Sequence, residues 1–522
     1  MRVSGFPRAY YCGHLLRDMH WFNTWAGSGS VYRMRSDNTR NVYCDVRVGT
    51  HRQDQVSNGG LNDNDEEVES TSHVSVPIDD SNYDGLKLSL WRLCESKFKE
   101  ALADYNQREA LRISTIDPNS NLLSFVKLDP VKYVRYAERE FVDEEKWVKF
   151  CKKASQWMSS LPQVTSAEVE FDASHETRIF VNTEGSVIVQ HSQVFSLTAT
   201  FKNFTKEGSS LEQDLVLNVG RLKELPDFRA FKKLALQKYD QLIKLIKARN
   251  IHAFSGPVLL YPGPSGLLFH EAIGHRLEGS RLLATGEGQT FKGQVGKKIL
   301  DIELTIRDNP RLKEFKGVRC IGHYEYDDEG APGKDALLVQ DGILKDFLNT
   351  RAQLFKKGYT PNGHARNKKF QRPISRMAVT VVEAKKAISL EHLRMLLIAE
   401  IKRQKKPFGM IVYETSGGET ETTSYDFQAF SGEISYATLI YPDGKEVPVR
   451  GVNFVGTPLQ ALGNIIAVGK EQELDNGYCG AESGFIPITT IAPAVLLRNL
   501  ELQAKEEALV TQYILPRPKT LR

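Results

Sequence analysis

Val164 to Phe201 reads VTSAEVEFDASHETRIFVNTEGSVIVQHSQVFSLTATF. Apolar and polar residues alternate through VEF, RIFV and VIVQHSQVFSLTATF, the period of two expected of strands that bury one face. Between the two runs, Asn182-Thr183-Glu184-Gly185 supplies turn residues, so the segment predicts an antiparallel hairpin.

Helices flank this hairpin. Trp147, Phe150, Cys151, Ala154, Trp157, Met158 and Leu161 recur at helical spacing, opened by Asp143 and Glu144 and stopped by Pro162. On the other side a helix is expected from about Pro226 to Arg249, with Phe228, Phe231, Leu234, Leu242 and Ile246 inward. Further upstream, Leu86, Leu90, Leu93, Cys94, Phe98, Ala101 and Tyr105 mark a long amphipathic helix. Asn41–Val56 alternates like a half-buried strand with a turn near Gly49, and Ser57–Ser81 reads as an acidic, solvated loop.

Beyond Asn250 the punctuation changes to Gly, Pro and short strands. Pro257–Leu260, Ile299–Ile306, Met377–Glu383, Gly409–Glu414, Ser435–Tyr441 and Leu496–Leu502 are candidate strands; Ile388–Arg403 and Pro458–Val468 are candidate helices. Antiparallel hairpins with segregated helices argue for an α+β fold. The expected organisation is an N-terminal α+β domain, residues 1–250, with antiparallel sheet and long helices, and a strand-rich, barrel-like domain, residues 251–522, that carries the one chemically suggestive helix.

Composition narrows the class. The 522 residues carry 69 Lys+Arg against 65 Asp+Glu, a net +4 that is too dilute for a nucleic-acid backbone binder. No run approaches about 18 consecutive apolar residues, so neither a membrane span nor a membrane partner is expected. The first thirty residues lack a continuous apolar core, which argues against a secretory signal. Cys12, Cys44, Cys94, Cys151, Cys320 and Cys479 are scattered, as free thiols of a cytoplasmic protein would be.

The chemical signal is Leu268-Phe269-His270-Glu271-Ala272-Ile273-Gly274-His275-Arg276-Leu277-Glu278-Gly279. Zinc peptidases with HExxH place both His on one helix face and leave the Glu beside the metal's open position. Here the spacing is HExxxH. On a regular helix five residues turn about 500°, so the second imidazole would point some 140° away from the first. One metal can take both only if the extra residue is absorbed, for instance in a π-bulge, and Gly274 sits where that distortion is easiest. A third ligand is needed, and His323, His364 and Cys479 are of the right type. Cys479 lies in Asp475-Asn476-Gly477-Tyr478-Cys479-Gly480, which reads as a turn.

From His270 onward the sequence resembles the TldD/PmbA family of zinc metallopeptidases, in particular its HExxxH-bearing subunits. The shared steps are Leu277-Glu278-Gly279, Gln294-Val295-Gly296, Asp327-Asp328-Glu329-Gly330 with Pro332-Gly333, Asp341-Gly342-Ile343-Leu344, Gly358-Tyr359-Thr360-Pro361-Asn362-Gly363, and Asp475-Asn476-Gly477 before Cys479-Gly480. They run in order across Pro257–Gln503. Family members carry a helix before a strand like Arg8-Ala9-Tyr10-Tyr11, and this sequence opens almost directly on that strand. They also show a Gly-Lys-x-Gly-Gln step after the cysteine, where this chain has Gly480-Ala481-Glu482-Ser483-Gly484.

The resemblance implies Zn2+ held by His270, His275 and Cys479, with Glu271 as general base in hydrolysis by a zinc-activated water. A thiolate ligand makes the metal a weaker Lewis acid than a third imidazole would, so modest turnover is expected. The implied assembly is a homodimer, or a heterodimer with a related subunit, around a central cavity that takes unfolded peptide. Two other readings stay open at this level: a non-catalytic partner subunit, and a zinc-dependent hydrolase of non-peptide bonds.

Overall fold

The computed structural model describes residues 5–56, 61, 73–114, 121–136, 139–205, 208–251, 253–284, 286–355, 359–368, 371–423 and 429–505. Most of the acidic stretch expected as a loop lies outside them. Helix makes up 24% and strand 44%, the mixed composition expected of an α+β fold.

The hairpin that opens the sequence reading forms as Ser166–Asn182 and Val187–Phe204, paired in register from Ser166↔Lys202 to Val181↔Val187. Its turn is closed by Asn182, whose Oδ1 accepts from Ser186 N at 2.9 Å, and Gly185 takes the positive φ of 99° that the turn requires. Long strands Ala9–Gly27 and Ser30–Thr50 extend the sheet on one side and Ser210–Val219 on the other. Helices Glu144–Ser159 and Phe228–Ile246 cover one face, capped by Asp143 and Asp227, whose side chains accept from Lys146 N and Ala230 N. Under them Trp147 stacks on Phe171 at 4.0 Å, and Cys151, Met158, Phe195, Phe201 and Phe231 are buried with it. Each such ring or aliphatic side chain contributes about 1.5–3 kcal/mol on leaving water.

In the C-terminal part five strands close into a barrel. Ala253–Leu260 pairs with Gly409–Thr420, then Phe430–Ile440, then Val452–Gly456, then Ile486–Ala504, which returns to Ala253–Leu260. Successive residues point to opposite faces. Leu260, Met410, Val412, Val495 and Leu497 therefore fill one core, while Leu259, Ile411 and Leu496 meet Leu393, Leu397 and Ile401 of helix Leu390–Arg403 in another.

Three local expectations differ from the structure. The expected strand Ile299–Ile306 is displaced to Leu304–Asp308. Helix Pro458–Gly463 stops at its C-cap Asn464, and Ile465–Cys479 is a strand against Ile486–Ala504. Cys479 thus ends a strand rather than sitting in a turn.

An ionic clasp joins the N-terminal sheet to the loops around the barrel. Arg17 donates to Glu176 Oε1 at 2.8 Å, Asp328 Oδ2 at 3.0 Å and Asn367 Oδ1 at 2.7 Å; Arg178 donates to Asp328 Oδ1 at 2.8 Å. Asp327, next in the same motif, accepts from the backbone of Glu329, Ala331 and Ala365. The Asp327-Asp328-Glu329-Gly330 step is therefore a structural joint.

Candidate metal centre

The segment that carries the two histidines leaves the barrel strand Ala253–Leu260 through helix Pro262–Phe269, with Tyr261 as N-cap and proline at its start. The helix lies against Ile486–Ala504, where a Cβ on Gly266 would meet Thr490 Cγ2 at 3.2 Å. It then widens into a π-helical turn, His270–Gly274, and tightens into a 3-10 turn, His275–Leu277. Phe269, Ala272, Ile273 and Leu277 are fully buried and fix the turn in the core. Gly274 itself keeps helical dihedrals, φ −55° and ψ −58°. Space, not backbone freedom, demands a glycine there: a Cβ would stand 2.2 Å from Met377 Sδ.

The π turn brings both imidazoles to one point. His270 Nε2 lies 3.2 Å and His275 Nε2 3.4 Å from Cys479 Sγ. The three donor atoms fall within 4.8 Å of one another, and all three residues are buried. Zn–N of 2.0–2.1 Å and Zn–S of 2.3 Å in a tetrahedron require N···S of about 3.6 Å, so this donor set fits a metal ion of that size. Burial alone would push the Cys479 thiol up, but the two imidazoles outweigh it and hold it well below its usual range. Burial alone would likewise depress His275; the facing Cys479 and Glu278 instead raise it to about 10. A metal cation would take the place of the imidazole protons in stabilising the Cys479 thiolate.

Around the donors lies a supporting shell. Glu278 Oε1 stands 3.2 Å from His275 Nδ1, and the Arg281 guanidinium contacts Glu278 at 2.9 Å. Burial would raise Glu278, yet His275 and Arg281 lower it to about 2. Arg376 donates to Cys479 O at 2.7 Å and to Cys479 Sγ at 3.2 Å. Among the described residues Glu271 has only a long ion pair and no hydrogen bond of this kind. Its carboxylate is 3.9 Å from His275 Nε2, and burial raises its pKa. A buried carboxylate held above its normal range beside a metal is suited to take up a proton.

His270, Glu271, His275 and Cys479 line a cavity of about 1460 Å³. Its walls come from strand Ser210–Val219 of the N-terminal sheet, barrel strands Gly409–Thr420 and Phe430–Ile440, and strand Ile465–Cys479. One of these, Ser210–Val219, is paired on one side only among the described residues, whereas Ile465–Cys479 pairs with Ile486–Ala504 and also bridges Ile388 at Gly469.

Of the third-ligand candidates, only Cys479 joins the histidine pair. His323 Nδ1 binds Pro310 O at 2.8 Å, and His364 is buried between Asn362 and Asp308 at 2.8 and 3.2 Å. Sequence reasoning gave no role to Glu278, Arg281 or Arg376. Glu278 was findable, since it stands three residues after His275 on one helical turn; Arg376 is brought in by tertiary structure alone.

The barrel, the cavity and the converging His/His/Cys group make a candidate metal centre. Residues 255–504 match the PmbA/TldA metallopeptidase C-terminal domain, so this part of the chain is similar to proteins of the TldD/PmbA family. A metalloprotease of Methanothermobacter thermautotrophicus is 28% identical over 346 residues, covering 65% of this chain and 70% of that protein. A zinc metalloprotease TldD homolog of Saccharolobus solfataricus is 25% identical over 364 residues, covering 69% and 76%. The crystal structure of TldE from Thermococcus kodakarensis superposes with a TM-score of 0.62 over 95% of this chain and 97% of that one, at 16% identity, which establishes likeness of fold. No helix among the described residues is long and apolar enough to cross a membrane.

Proposed function

We propose that this chain is a zinc-dependent peptidase that hydrolyses unfolded peptides or short protein segments. The observation that carries the reading is the convergence of His270 Nε2, His275 Nε2 and Cys479 Sγ beside an unengaged, buried Glu271 on the wall of a large cavity. His270, His275 and Cys479 would hold the ion, and zinc suits two imidazoles and one thiolate that leave a fourth position open. Zinc, when bound, supplies a Lewis acid that polarises a carbonyl and acidifies water. Glu271 takes a proton from the attacking water and passes it to the amine nitrogen as the C–N bond breaks. Glu278 orients His275, and Arg376 moderates the charge on the Cys479 sulfur.

Residues 1–250 act as the domain that forms the dimer and the cavity, and residues 251–522 as the metallopeptidase domain. The chain works in the cytoplasm as a homodimer or with a related subunit, and the likeness to TldE supports the second arrangement. Extended substrate is favoured because the one-sided strand Ser210–Val219 walls the cavity, and a peptide gains backbone hydrogen bonds by adding to such an edge. That same likeness favours a second reading, a non-catalytic partner subunit; the complete donor set and Glu271 argue against it, since a structural site has no use for an unligated carboxylate. A hydrolase of non-peptide bonds would use the same groups. The test is incubation of the zinc-loaded chain with unfolded casein, alone and mixed with a TldE-type subunit. Cleavage in either mixture, abolished by a chelator, is expected; intact casein in both overturns the proposal.

A further inference from the structure

Three of the six cysteines meet at a second place, far in sequence from the histidine pair. Cys12 and His14 lie on strand Ala9–Gly27, Cys44 on strand Ser30–Thr50 and Cys94 on helix Asp84–Ser114. Cys12 and His14 are two residues apart on one strand and so point to the same face. Cys44 is the direct cross-strand partner of His14, which puts it on that face as well, and the helix lowers Cys94 onto it. His14 Nε2 stands 3.0 Å from Cys94 Sγ, and Cys44 Sγ stands 4.0 Å from Cys94 Sγ. All four donor atoms lie within 4.8 Å of one another.

We propose that Cys12, His14, Cys44 and Cys94 form a second, structural zinc site that fastens helix Asp84–Ser114 to the N-terminal sheet. A tetrahedron with Zn–S of 2.3 Å and Zn–N of 2.0–2.1 Å needs S···S of about 3.8 Å and N···S of about 3.6 Å. The His14–Cys94 separation of 3.0 Å is shorter than its target and the Cys44–Cys94 separation of 4.0 Å slightly longer, so side-chain shifts within the cluster complete the tetrahedron. A disulfide is a different geometry, requiring S–S of about 2.05 Å, and none joins these cysteines. Three thiols and one imidazole around a single point select zinc over hard cations, and four protein ligands leave no open position, as in structural sites.

The surroundings agree with that role. Val42, Val46, Val48, Leu93 and Phe98 pack around the cysteines, and the nearby carboxylate, Asp45, is taken up by Arg47 and Arg372 at 2.8 and 2.9 Å. Helix Asp84–Ser114 contributes Leu93, Phe98 and Ala101 as buried side chains to this core, with Leu86, Leu90, Cys94, Leu102 and Tyr105 half-buried around them. The bland alternative is three thiols packed as small hydrophobes under a histidine. This site shares no residue with the His270 group and does not depend on the proposed activity.

The test uses the full chain carrying His270→Ala and Cys479→Ser, so that one group cannot stand in for the other. With zinc supplied, this variant is expected to retain about one ion per chain, and its zinc-edge X-ray absorption should show three sulfurs at about 2.3 Å and one nitrogen at about 2.0–2.1 Å. Adding Cys94→Ser should remove the ion. Should that triple variant fail to fold, iodoacetamide labelling of the double variant gives the same decision: a chelator should open Cys12, Cys44 and Cys94 to alkylation. A folded double variant that binds no zinc, a shell without sulfur, or labelling unchanged by chelator overturns the proposal. Loss of peptidase activity in the double variant bears only on the His270 group.

Discussion

His270 and His275 meet edge to face, their ring centroids 4.9 Å apart at 85°, with both Nε2 atoms turned to the sulfur of Cys479. A regular helix would set side chains five residues apart on nearly opposite faces. The π turn removes that divergence, and the contact of Gly274 with Met377 is where the turn is locked to the core.

Gly274→Ala should therefore destabilise the protein by roughly 1–3 kcal/mol, the usual cost of forcing a methyl into a packed core. Met377→Ala leaves a cavity and costs about 2–5 kcal/mol alone. In the double variant the methyl and the vacated space offset each other, so urea unfolding should show a loss well below the sum. Additive losses would mean that Met377 is not what excludes a side chain at Gly274.

Glu278→Gln tests the support behind His275. The substitution keeps the shape but removes the charge facing Nδ1 at 3.2 Å. Zinc affinity, measured by chelator competition, should fall about 10–100-fold, as is usual when a ligand's outer partner is lost. Unchanged affinity would assign Glu278 to Arg281 and Arg376 alone.

The clasp between sheet and barrel loops should make stability acid-sensitive. Burial would raise Glu176, but Arg17 and Arg178 hold it down, from the usual 4.5 to about 2. A carboxyl depressed in the folded state stabilises it above the unfolded pKa, and that contribution is lost as pH falls through the folded one. Its size is on the order of 3 kcal/mol at neutral pH. The difference in urea unfolding between wild type and Glu176→Gln should be largest above pH 5 and shrink steadily toward pH 3. A pH-independent difference would show that the carboxylate's charge is not what matters.

Asp214, Glu419, Glu433, Glu473 and Asp475 line the cavity without an ion-pair partner among the described residues. Their field favours cationic substrate, so peptides with Lys or Arg near the scissile bond should have a higher kcat/KM than matched peptides with Asp or Glu. Raising salt from 0.01 to 1 M contracts the Debye length from about 30 to 3 Å and should narrow the gap. A preference for acidic peptides, or one indifferent to salt, would contradict this.

Much of the fold was legible where one face of an element is wet. Ser166–Asn182 alternates buried and half-buried residues, and its period of two is plain in the sequence. Asn41–Val48 alternates in sequence like a half-buried strand yet is buried throughout, because Asn41, Asp45 and Arg47 on its polar positions are covered too, and in Ala9–Gly27 the polar Arg17 and Asn23 take buried positions, which blurs the pattern. The apolar run after Pro458 was read as one helix because short buried strands and helices share a pattern there. At the candidate centre, counting residues from His270 to His275 sufficed to require a distorted helix. Cys479 lies 204 residues further on, and no local pattern could choose it over His323 or His364; resemblance did that. Arg376 stayed hidden because its partner is a sulfur on another strand.

The most direct test compares cleavage of unfolded casein by the wild-type chain and by Glu271→Gln, each with its zinc content measured in the same preparation. The carboxamide keeps the shape of the side chain and cannot accept the proton. Zinc content is expected to be equal, and cleavage by Glu271→Gln to fall by about 10²–10⁴-fold, the range that a positioned general base contributes. Cleavage at the wild-type rate with the same zinc content would contradict the assignment of Glu271 and, with it, the peptidase centre built on His270, His275 and Cys479.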